Sequence, residues 1–186
     1  MNVAWTLASN RVTLALAIIA LMLSPSAVSG QGPEDERVVV VRPSTMNDQG
    51  WFFRVEGGLP SGELVVGPDA PPLGGGSARF VLNSATDGMS LQYFDESIIG
   101  LPLKSITSLH YCTYVTAAPS TQAVSLQFNF DNDVTDNDIS FKGRLVFEPS
   151  NSPTFIVQGG TWQCWNTLLG FWWATRPKIS ELQDDR

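Results

Sequence analysis

Along residues 123–130 apolar and polar side chains alternate, with Val124, Leu126, Phe128 and Phe130 on one side and Ser125, Gln127 and Asn129 on the other. Residues 139–147 repeat the pattern, with Ile139, Phe141, Leu145 and Phe147 set against Ser140, Lys142 and Arg144. Successive side chains of an extended chain point to opposite faces, so a period of two predicts strands with one buried and one wetted face. The Asp- and Asn-rich stretch between the two runs predicts that they pair as a hairpin. Further short apolar or β-branched runs occupy 38–42, 50–55, 63–66, 78–83, 90–94, 108–115, 154–158, 161–165 and 171–174, separated by Gly, Pro, Asn and Asp clusters. No segment sustains a helical period of 3.6. Strands in this number predict an all-β domain: a two-sheet antiparallel sandwich of jelly-roll type, with a closed β-barrel as the alternative.

The N-terminus departs from this pattern. An apolar run from Val12 to Leu23 follows Arg11 and is broken at Ser24-Pro25, after which Ala27-Val28-Ser29 has the small-x-small form of a cleavage site. This is the layout of a secretory signal peptide over residues 1–30, shorter than the roughly 20 apolar residues a membrane-spanning helix requires. The expected product is a secreted or surface-exposed chain without a membrane span. It has a mobile lead-in at 31–37, a sandwich domain over 38–176 and a polar tail at 177–186. The leader takes 30 of the 186 residues and one of the 11 basic residues but none of the 18 acidic ones, leaving a net charge of −8. An acidic surface argues against nucleic acid or anionic lipid as a partner, because both need basic groups to neutralise phosphate. In an oxidising compartment the only two cysteines, Cys112 and Cys164, are expected to form a disulfide.

Four late tryptophans stand out as candidate ligand-binding residues: Trp162, Trp165, Trp172 and Trp173. Indole rings offer broad faces with one polar handle and suit either a core or a carbohydrate platform. In strands, each pair has opposite parity, so one ring should point inward and the other outward. The loop containing Asp131, Asp133, Thr135, Asp136 and Asp138 supplies oxygen ligands at the alternating spacing that opens a calcium loop. It places Asp136 where that loop needs Gly and Lys142 where it needs a bidentate Glu, so a plain hairpin turn is the competing reading. The single histidine, His110, precludes a multi-histidine metal centre and has no G-x-S-x-G elbow beside it. Glu148, paired with Asp95 or Glu96, is the candidate for glycoside hydrolysis, which needs two carboxyl groups flanking the bond.

The order of motifs carries a resemblance. Trp51-Phe52-Phe53, Gly67-Pro68, Pro71-Pro72-Leu73-Gly74 and Gly76-Ser77 are followed by Tyr111-Cys112-Thr113-Tyr114, Phe147-Glu148-Pro149, Trp162-Gln163-Cys164-Trp165 and Trp172-Trp173. Together they resemble an uncharacterised family of secreted bacterial surface β-sandwich domains, over most of the chain beyond the leader. The resemblance implies the fold and export and brings no activity or functional residue with it. The sequence thus predicts a secreted, non-enzymatic module that binds a glycan or a cell-surface partner. A glycoside hydrolase or lyase, and a structural surface protein without ligand, are the alternatives.

Overall fold

A computed structural model describes residues 2–4, 12–17, 39–116, 122–131 and 142–175. They form two antiparallel sheets that do not close into a barrel, which makes the chain an all-β sandwich. The strands are β1 (Asn2–Ala4), β2 (Val12–Ala17), β3 (Trp51–Gly57), β4 (Ser61–Val66), β5 (Gly76–Leu82) and β6 (Gly88–Phe94), then β7 (His110–Val115), β8 (Leu126–Phe130), β9 (Gly143–Phe147), β10 (Trp162–Asn166) and β11 (Trp172–Ala174). One sheet has six strands in the order β11-β9-β8-β1-β6-β3, and the other has five in the order β10-β7-β2-β5-β4.

The hairpin read from alternation is β8–β9, paired from Leu126↔Phe147 to Phe130↔Gly143. Its apolar side meets the other sheet. Phe128, Leu126 and Phe147 join Met89 and Leu91 from the six-stranded sheet against Ala78, Phe80, Leu82, Tyr111, Val115 and Trp165 from the five-stranded one. Rings lock the layers together edge to face: Phe53 on Phe80 at 5.9 Å and Tyr111 on Phe147 at 6.0 Å between centroids. The Tyr111 hydroxyl is buried and donates to the Val124 carbonyl at 2.8 Å, so its burial leaves no unmet donor.

Two predicted strands are absent among the described residues. Of the one expected at 38–42, residues 39–42 instead lead into a helical turn, with the amides of Thr45 and Met46 both donating to the Arg42 carbonyl. Over 154–158 a side chain takes the place of a neighbouring strand. The Gln163 amide group accepts from the Gln158 N–H at 2.6 Å and donates to the Ile156 carbonyl at 2.7 Å, satisfying backbone groups that a ladder would otherwise serve. Conversely, β1 and β2 fall inside the stretch whose composition reads as a leader. Val12-Thr13-Leu14-Ala15-Leu16-Ala17 alternates larger with smaller side chains, a pattern a strand can use as readily as a leader can.

One carboxylate organises the end of the sandwich where β3–β4 meets β5–β6. Asp87 accepts from the backbone N–H groups of Asn83 (2.7 Å), Ser84 (3.1 Å) and Leu59 (3.0 Å) and from the Ser84 hydroxyl (2.8 Å). Gly58 sits at φ +66°, and a Cβ there would lie 2.1 Å from an Asp87 oxygen, so the close approach requires glycine. The Asn83 N–H first, then the Ser84 hydroxyl and the Leu59 N–H, hold the Asp87 carboxyl below its usual range. A depressed folded-state pKa contributes stability above the unfolded value of about 3.9, and the contribution is lost as pH falls through the folded value. Asp87→Asn is therefore expected to lower the urea midpoint at pH 7 and to flatten its decline below pH 4. Parallel midpoint-versus-pH curves for the two proteins would contradict this.

Candidate functional site

Pairing register assembles one row of side chains across the whole six-stranded sheet. Trp173 opposes Val146, Val146 opposes Gln127, Gln127 and Gln92 both oppose Ala4, and Gln92 opposes Phe52. Five strand spacings of about 4.8 Å make the row about 24 Å long. The neighbouring positions along each strand, Leu126, Phe128, Leu91 and Trp172, belong to the core or pack against it, so this row lies on the outer face. Flanking rows on the same face hold Arg144, Asn129 and Phe94 on one side and Ser125, Ser90 and Arg54 on the other.

Apart from Val146, which is buried, the floor is polar and internally bonded. Ser90 and Gln92 donate to the Glu56 carboxylate at 2.9 and 3.1 Å. Arg144 reaches Asn129 at 3.2 Å and Gln127 at 3.4 Å, and the Gln127 amide donates to Ser125 at 3.1 Å. Gln92 and Gln127 are buried, at 7% and 6% exposure, whereas the rings at the two ends of the row stand in solvent: Trp173 at 43% and Phe52 at 39%, with Phe94 at 44% beside them. Arg54 also projects outward, 3.9 Å from Glu56. Aromatic faces at the ends of an amide, carboxylate and guanidinium floor offer apolar platforms together with donors and acceptors of fixed direction.

The four tryptophans are divided by parity and by sheet. Trp165 points inward, with its indole N–H on the Thr113 hydroxyl at 2.9 Å and its ring 5.5 Å from Phe155. Trp172 also points inward, stacked on Phe128 at 5.5 Å. Trp162 lies on the outer side of the five-stranded sheet, against Tyr114 at 5.6 Å, and donates to the Pro68 carbonyl at 2.9 Å. It pins the Pro/Gly loop to the sheet. Burial first, then Asp69, raises the Tyr114 hydroxyl pKa beside it. Only Trp173 faces solvent on the six-stranded sheet, so the four do not make one platform.

The remaining candidates fall as follows. Of the acidic loop, Asp131 is exposed at the end of β8, while Asp133, Thr135, Asp136 and Asp138 lie outside the described residues. Among the described residues no group of three His, Cys, Asp or Glu could hold a metal. His110 is exposed on β7 and meets the Ser108 hydroxyl at 3.2 Å. Glu148 follows β9 and accepts from the Asn151 amide. Asp95 follows β6 and caps the short turn at Glu96–Ile98, taking the Tyr93 hydroxyl at 2.6 Å and the Ser97 N–H at 2.8 Å. Those donors, the Tyr93 hydroxyl first, hold its carboxyl below the usual range. Leu145 and Tyr93 share a row through Phe128 and Val3, and from that row the antiparallel strands carry Glu148 and Asp95 toward opposite ends of the sheet. Three strand spacings and five residues of rise separate them by about 20 Å. Glycosidase carboxyl pairs stand within about 10 Å, so this pair is not brought together.

Sequence alternation exposed the polar sides of β8 and β9 but not the partnership of Phe52, Gln92, Gln127 and Trp173, because strand order decides which rows meet. The disulfide is formed: Cys112 and Cys164 are direct cross-strand partners on β7 and β10. Comparison of the chain with protein-family models, with curated proteins and with solved structures yields no match.

Proposed function

We propose that the protein, with β1 retained, is a non-enzymatic module that binds a glycan along the outer face of the six-stranded sheet. The observation that carries this reading is the single row in which solvent-facing Trp173 and Phe52 bracket Gln127 and Gln92. A sugar ring has an apolar face that stacks on an aromatic ring and a hydroxyl edge that exchanges hydrogen bonds with amides, carboxylates and guanidinium groups. A row of about 24 Å suits a chain of several sugars better than a monosaccharide. The separation of Glu148 from Asp95 favours binding over hydrolysis.

The test is a pull-down of the protein on insoluble cell-wall and plant polysaccharides, followed by titration of the best one with wild type and Trp173→Ala. Removing an exposed aromatic anchor is expected to weaken binding at least tenfold, with the thermal midpoint unchanged within a few degrees because the ring is on the surface. No retention on any polysaccharide, or equal affinity for the two proteins, would refute the assignment.

A further inference from the structure

Sheets that do not close leave four edge strands among the described residues: β3 and β11 on one sheet, β4 and β10 on the other. An edge presents unpaired N–H and C=O groups and is a template for another strand unless charge, irregularity, brevity or cover blunts it. Three of the four are blunted. β3 carries Arg54 and Glu56 and shifts register between Val55 and Gly57. β11 is three residues long. Along β10 the Gln163 side chain ties down the backbone at Ile156 and Gln158, which sets that segment beside the strand.

β4 has none of these devices. All six residues, Ser61-Gly62-Glu63-Leu64-Val65-Val66, pair in unbroken register with β5, and β4 has no other strand neighbour. Its one charged side chain, Glu63, is taken by Arg79 on β5. Val66 is 93% exposed although it shares the parity of Leu64, which packs against the core. We propose that β4 is the docking edge for a second copy of this chain, the two β4 strands pairing antiparallel about a twofold axis so that two five-stranded sheets become one of ten strands.

The strand complements itself in one register. A twofold axis normal to the sheet preserves its faces, so directly opposed residues have equal parity and the axis passes through a residue position. Centred on Glu63, the ladder would oppose two like charges. Centred on Val65, it would oppose Gly62 with Pro68, which has no N–H to give. Centred on Leu64, it sets Leu64 against its own copy, Glu63 against Val65 and Val66 against Gly62. The last pairing gives the exposed valine an apolar seat, because the Phe53 ring lies over Gly62 so closely that a Cβ there would stand 2.4 Å from it. The contact uses no residue of the glycan row and neither N-terminal strand, so it stands or falls apart from the glycan reading.

Sedimentation velocity of the full chain over a range of concentrations is expected to show a monomer–dimer equilibrium. Val66→Lys, at a position too exposed to disturb the monomer, should weaken the dimer at least tenfold. Cysteine variants read the register. Leu64→Cys brings two Cα atoms to about 5 Å across the axis, inside disulfide reach, whereas Val66→Cys leaves them about 14 Å apart. Under mild oxidation the first should run as a covalent dimer on a non-reducing gel and the second as a monomer. A chain that stays monomeric at its highest soluble concentration would overturn the proposal. So would a dimer that Val66→Lys leaves intact, or one that Leu64→Cys does not trap.

Discussion

Replacing Phe147 with Ala should destabilise the domain by about 3–5 kcal/mol, among the largest effects of any single core truncation here. The ring is fully buried and touches three other aromatic rings: Tyr111 at 6.0 Å, Phe155 at 6.0 Å and Trp172 at 5.5 Å. Tyr111 belongs to the five-stranded sheet and Trp172 to the six-stranded one, so the cavity would open where the layers meet. Collapse into it is hindered. Gly170 approaches so closely that a Cβ there would stand 2.3 Å from the Phe147 ring, and Tyr111 is tethered through its hydroxyl to Val124. A site that cannot close retains more of its cavity and suffers more of the loss. The measurement is the urea midpoint and slope of Phe147→Ala and Phe147→Leu. Leu should recover a substantial part of the stability, and a change under 1 kcal/mol for Ala would show that the layers do not depend on this ring. The variant also bears on the outer face. Trp172 and Trp173 are adjacent on β11, and Trp172 is seated by Phe128 and Phe147, so loosening the inner ring should weaken any contact that the outer one makes.

Much of this architecture was legible from alternation alone, and the exceptions are informative. The β8–β9 hairpin could be read because Leu126 and Phe147, and Phe128 and Leu145, are apolar at positions that a two-residue period places together. The run at 38–42 has equally strong β-branched character, yet its described residues 39–42 make no strand, because the Arg42 carbonyl is taken by a helical turn. Residues 154–158 fail for a different reason, since Gln163 supplies the partner groups from a side chain five residues away. Propensity describes what a segment can do, and the competing hydrogen bonds decide what it does. The binding face shows the same limit at the level of the sheet. Parity assigned Trp172 and Trp173 to opposite faces, but nothing local to 162–173 says that Trp162 belongs to one sheet and Trp173 to the other. Nor could it reveal that Phe52, about 120 positions earlier in the chain, ends the same row as Trp173.

Loss of the Cys112–Cys164 bridge is expected to cost about 2–4 kcal/mol, seen as a fall of about 5–15 °C in thermal midpoint for Cys112→Ser/Cys164→Ser or for the reduced protein. The bridge spans 52 residues of sequence, so the unfolded chain gains considerable freedom when it is cut. Its position makes the effect local as well as global. β10 is the outer strand of its sheet and pairs only with β7, from Trp162↔Tyr114 to Asn166↔His110, with the two cysteines at the middle of that register. On the inner side of the same two strands the Trp165 indole is bonded to Thr113, and on the outer side Trp162 is held to Pro68. The disulfide therefore clamps the strand that fixes both rings. Without it, fraying should begin at β10, because an edge strand is secured from one side only. Amide exchange over Trp162–Asn166 should accelerate more than over β5 or β6, and intrinsic tryptophan emission should shift to longer wavelength before far-ultraviolet dichroism is lost. Uniform acceleration across both sheets would mean that the bridge acts through the unfolded chain alone. An unchanged midpoint would mean that the ten-residue ladder between β7 and β10 holds without it.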